Sequence, residues 1–120
     1  MQTVNILGTE YKLIESDSGK DAVLKSADGY CDHTTKTLVI KDILPETNSV
    51  GDLEQYKKRV IRHEVIHAFL FESGLAGESW ANDEEIVDWL AYQFPKVYMI
   101  AAANKFLRIY FAKVNEVLNA

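Results

Sequence analysis

The sequence of 120 residues predicts a single α+β domain, with a small, mainly antiparallel sheet packed on three helices. Three observations lead there. β-prone runs separated by turn residues fill the first forty positions, and apolar residues at three- and four-residue spacing dominate the remainder. The balance of 48% hydrophobic to 26% charged residues suits one modest core, and the chain is too short for two.

Val4-Asn5-Ile6-Leu7 and Tyr11-Lys12-Leu13-Ile14 flank the Gly8-Thr9 break and predict a hairpin. The polar stretch ESDSGKD then leads through a weakly helical Ala22 to Ser26 to Gly29. Tyr30-Cys31-Asp32 and Thr37-Leu38-Val39-Ile40, on either side of HTTK, predict a second hairpin. LPETNSVG, from Leu44 to Gly51, is loop chemistry, because Pro45 and Gly51 disfavour any regular element.

Helices are expected from there on. Ser49 with Asp52 three residues later offers a start signal, and Leu53, Tyr56, Val60, His63, His67 and Leu70 recur at helical spacing up to a terminating Gly74. LAGESWA separates this helix from a second that begins near Asn82 or Asp83, with Asn82 and Glu85 spaced as a capping box. Pro95 is expected to end or break it. A third helix, about Lys96 to Leu118, would bury Ile100, Phe106, Leu107, Tyr110, Phe111, Val114 and Leu118, and its exposed side could mediate self-association. It lacks the heptads of a coiled coil.

Composition also excludes partners. A net charge of -5 with scattered lysine and arginine is not the footprint of a nucleic-acid binder. Cys31, the lone cysteine, rules out an internal disulfide framework and fits a reducing compartment. The N-terminus has no signal-peptide profile, and no apolar run approaches the roughly 20 residues of a membrane span. A cytoplasmic protein without a membrane partner is the expectation.

Chemistry concentrates in RHEVIHAFLF, Arg62 to Phe71. His63 and His67, four residues apart on a helix, stack on one face and can reach one zinc ion. Glu64 projects about 100° around the helix, beside the ion instead of onto it, where it can act as general base on zinc-bound water. Val65, Ile66, Phe69 and Leu70 are the expected anchors of the helix. A catalytic zinc needs a third protein ligand. His33, the only other histidine, reads as a solvated turn residue. Glu84, Val87, Asp88 and Ala91 share one face of the next helix, so Glu84 is the candidate ligand and Asp88 the candidate acceptor for the other N–H of a ligating histidine.

GYCD with TLVI, then HEVIH, then Glu84-x-x-Val87-Asp88-x-x-Ala91, together resemble the small zinc metallopeptidases of the ImmA/IrrE type, within the zincins. The likeness covers about residues 29 to 94 and matches an H-E-x-x-H helix and an E-x-x-x-D helix at His63, Glu64, His67, Glu84 and Asp88. It implies a zincin-like fold, a catalytic zinc and hydrolysis of protein or peptide substrates. It further implies an edge strand near Thr37 to Ile40 that could pair with an extended substrate, and a phage or mobile-element setting. Two features depart from the pattern: Phe69 stands where a glycine often follows the second histidine, and YQFPKV replaces a Leu-Leu-x-Pro-like run. No spacing marks a transition-state donor among Tyr92, Tyr98 and His33. Cys31 reads as a small buried strand residue, and Trp80 and Trp89 as core or pocket wall. One rival is a non-proteolytic protein-binding module that keeps zinc for structure; another is a metal-free core.

Overall fold

Leu7 and Gly8, with φ of 50° and 92°, form the two-residue turn between β1 (Gln2–Ile6) and β2 (Thr9–Ser16) in the computed structural model, which describes residues 2–42, 51–75 and 79–108. Positive φ at both turn positions matches the twist of the strands it joins. Ile6 pairs with Thr9, so the break falls at Leu7-Gly8, one residue earlier than expected. The second hairpin joins β3 (Gly29–Asp32) to β4 (Thr37–Lys41). Asp32 Oδ1 closes its turn by accepting the Thr34 N–H at 2.9 Å and the Thr34 hydroxyl at 2.6 Å.

The strand order is β1-β2-β4-β3, with β2 and β4 parallel and the two outer pairings antiparallel. The sheet is therefore mixed, because the hairpins join side by side in parallel through Leu13 and Leu38. This order corrects the expected edge strand. Thr37 to Ile40 lies in β4, bonded on both sides, and the edges are β1 and β3. The buried run Leu38-Val39-Ile40 fits an interior strand covered on both faces.

Helix α1 (Leu53–Glu72) begins at Asp52, whose side chain accepts the Gln55 N–H at 3.1 Å. It ends at Gly74, with φ 100°, where Gly74 N–H reaches the Phe71 carbonyl at 3.0 Å and Leu75 N–H the Leu70 carbonyl at 2.9 Å. The helix packs on two sides. Ala68 and Val65 join Ile6, Tyr11 and Leu38 of the sheet, while Leu70 and Ile66 join Ala81 and Val87. Phe69, an expected anchor, is instead 47% exposed.

Helix α2 (Glu84–Ala103) is capped by Asp83, which accepts the N–H groups of Glu85 and Ile86; Asn82 belongs to a short 3-10 turn, Trp80–Asn82. Pro95 lies inside this helix and does not end it. Proline has no N–H for the carbonyl four residues back, and that carbonyl, of Ala91, instead accepts from Arg62 Nε of α1 at 2.8 Å. The helix stops at Asn104, whose Oδ1 accepts the N–H groups of Phe106 and Leu107 to start a further helical turn. The third helix thus begins after Asn104, not after Pro95; its expected Tyr110, Phe111, Val114 and Leu118 lie outside the described residues, as do Ser49 and Pro45. No helix among the described residues is long and apolar enough to cross a membrane.

Candidate metal centre

The close approach of β3, α1 and the first turns of α2 leaves a cavity of about 620 Å³ between them. Helical spacing turns Tyr56, Arg59, Val60, His63, Glu64 and His67 of α1 toward it. Asp83, as N-cap, fixes where α2 starts, and so brings Glu84 and Asp88 to the histidines.

His63 Nε2 lies 2.8 Å from Glu84 Oε2, His67 Nε2 3.0 Å from Glu84 Oε1, and the two Nε2 atoms 3.2 Å apart. One ligand atom from each of the three residues falls within 4.8 Å of the others. His63 Nδ1 faces Asp88 Oδ1 at 3.4 Å, a charge contact longer than a good hydrogen bond. With the Nδ1 proton turned to Asp88, His63 Nε2 keeps its lone pair. Burial holds the His67 pKa below the ordinary 6.5 against the opposing pull of Glu84, which favours its neutral, ligand-competent form. Two imidazole nitrogens and a carboxylate that all face inward are mutually repulsive unless a proton or cation lies among them. Their separations resemble the roughly 3.3 Å between ligands of a tetrahedral ion with bonds of about 2.0 Å. The donor set therefore fits a divalent metal such as zinc.

Glu64 is the only polar residue among the buried positions described, at 5% exposure. Burial, which penalises the charged form, pushes its carboxyl up from 4.5 to about 7, although His63 pulls the other way. No hydrogen bond reaches it from another described side chain, and its carboxyl borders the cavity. Gly29 lets the edge strand lie this close. A Cβ there would stand 3.0 Å from Val60 Cγ1, 3.1 Å from the Val39 carbonyl oxygen and 3.3 Å from Glu64 Oε2. Cys31 also borders the cavity, half-buried, and burial pushes its thiol up to about 12, so it stays protonated.

Of the three donors left open by the sequence, only His33 borders this cavity, its ring stacked on Phe71 at 4.1 Å. Tyr92 lies under Arg59, and Tyr98 is exposed further along α2. Trp80 and Trp89, expected in the core or pocket wall, are 49% and 61% exposed and border no part of the cavity. The sequence reading passed over Arg59, Tyr56 and Tyr30 as site residues. For Arg59 a signal existed, since it lies four residues before His63 on the same helix face. The chain matches no family model, no curated protein and no solved structure.

Proposed function

We propose that this chain is a zinc-dependent peptidase of the zincin type, with His63, His67 and Glu84 as metal ligands and Glu64 as general base. The observation that carries the reading is the convergence of two imidazole Nε2 atoms and a carboxylate beside a buried, cavity-facing glutamate. Bound zinc supplies Lewis acidity, which polarises a substrate carbonyl and acidifies water.

The remaining work falls to the chain. Glu64 takes a proton from the attacking water at its carboxylate and returns it to the leaving amide nitrogen. Burial favours the neutral form of its carboxyl, which suits it to hold the proton between the two steps. Asp88 faces His63 Nδ1 and, by accepting its proton, would fix the ring orientation. Val60 and Gly29 close the space around Glu64 against water. The β3 edge borders the cavity, where an extended peptide backbone could add to the sheet.

The test is metal content and peptide hydrolysis measured together on wild type, His63→Ala and Glu64→Gln. Expected are one zinc per chain in wild type, zinc lost in the first variant and kept in the second, and hydrolysis lost in both. Zinc retained without hydrolysis in wild type would favour a structural zinc in a binding module. Wild type without stoichiometric metal would sink both zinc readings.

A further inference from the structure

Among the described residues, Arg59 is the only lysine or arginine on the cavity wall. It stands one helical turn before His63, and among the described residues no carboxylate pairs with it. Three of the wall's four acids are engaged elsewhere, and the fourth, Glu64, forms no ion pair with Arg59. Asp28 accepts the Tyr56 hydroxyl, Glu84 faces both histidines, and Asp88 faces His63. The Arg59 guanidinium is instead held by rings, its Cζ 5.0 Å from the centre of Tyr56 and 4.7 Å from that of Tyr92.

Ring contacts use the face of a guanidinium and leave N–H edges for acceptors in its plane. A half-buried cation without a counter-charge is costly, and none pairs with it among the described residues. Its missing partner fits a ligand that brings its own carboxylate, which a guanidinium binds by two parallel N–H···O bonds. Away from the metal ligands, Arg59 is the cationic side chain of this wall that such a group can meet.

We propose that Arg59 forms a carboxylate subsite, so that the preferred substrate is a peptide presenting a carboxylate about one helical turn from the metal ligands. The carboxylate comes from an acidic side chain or from the peptide C-terminus. This subsite rests on the peptidase reading, because it assigns that site its substrate class.

The test is calorimetric titration of the zinc-loaded protein with matched peptide hydroxamates, which bind a zinc site without being cut. One pair differs by glutamate against glutamine with an amidated C-terminus, and a second neutral pair differs by free against amidated C-terminus. Expected is a preference of roughly 10-fold or more for the carboxylate member of at least one pair, and the pair that shows it identifies the source. Arg59→Met should bring that ratio to about one, while Arg59→Lys, which keeps the charge without the fork, retains part of it. Binding of both members without discrimination, or a ratio that survives Arg59→Met, would overturn the subsite alone. Absence of binding by every hydroxamate to a protein that holds zinc would overturn the peptidase reading with it.

Discussion

Two glutamates of α1, eight residues apart, meet opposite surroundings. Glu72, in the last turn, accepts the Tyr11 hydroxyl at 2.8 Å, Lys36 Nζ at 2.7 Å and the Thr9 hydroxyl at 3.4 Å. The Lys36 ammonium first, then Tyr11, hold its carboxyl below the ordinary 4.5. Glu64, in the middle of the helix, is the more buried of the two, yet it has no such partners and is pushed up to about 7. The region around Glu72 behaves as framework, in which polar groups are satisfied. The region around Glu64 leaves a carboxyl buried and available, an arrangement that costs stability and makes sense where a proton has to move.

The largest expected contrast is in turnover. Glu64→Gln should lower peptide hydrolysis by about 10²- to 10⁴-fold, the usual contribution of a general base, whereas Glu72→Gln should leave it within a few-fold. Equal losses in both would erase the distinction.

Next is the pH dependence of stability in the metal-free protein. Glu64 has a folded pKa raised from 4.5 to about 7, so its stabilising contribution is complete below about 4.5 and lost as pH rises through about 7. The loss is of the order of 3 kcal/mol. Glu72 has a depressed folded pKa, so its contribution is complete above 4.5 and lost as pH falls through that depressed value. Thermal melts across pH should therefore show Glu64→Gln removing a loss on the alkaline side, and Glu72→Gln removing one on the acid side. The same sign for both variants would contradict the assignment.

Gly29→Ala should cost about 1–3 kcal/mol through overpacking, since the Val39 backbone cannot yield as a side chain can. It should also lower turnover by displacing Glu64, measurable as a fall in kcat at unchanged zinc content. Smallest is the helix junction. Arg62→Met should cost about 1–2 kcal/mol by orphaning the Ala91 carbonyl. In a Pro95→Ala background, where residue 95 regains its N–H, the same change should cost less, and a strictly additive double-mutant cycle would show that Arg62 does not serve that carbonyl.

Much of this organisation is legible in local sequence. Turn residues mark both hairpins, Gly74 marks the end of α1, and helical arithmetic puts His63 with His67 and Glu84 with Asp88. What is not legible depends on distant partners. Strand order requires knowing that β2 and β4 join in parallel, so β3 and not β4 takes the edge. Pro95 reads as a stop until Arg62, thirty-three residues earlier, is seen to replace the missing N–H. Arg59 is visible as a position, but that no described carboxylate pairs with it appears only once Asp28 and Asp88 are seen with other partners.

Zinc K-edge X-ray absorption on the purified chain tests the ligand set most directly. Two imidazoles with otherwise nitrogen or oxygen donors, at about 2.0–2.2 Å, are predicted for one zinc per chain. A sulfur shell at about 2.3 Å, which would bring Cys31 onto the metal, or a chain without zinc, would contradict it.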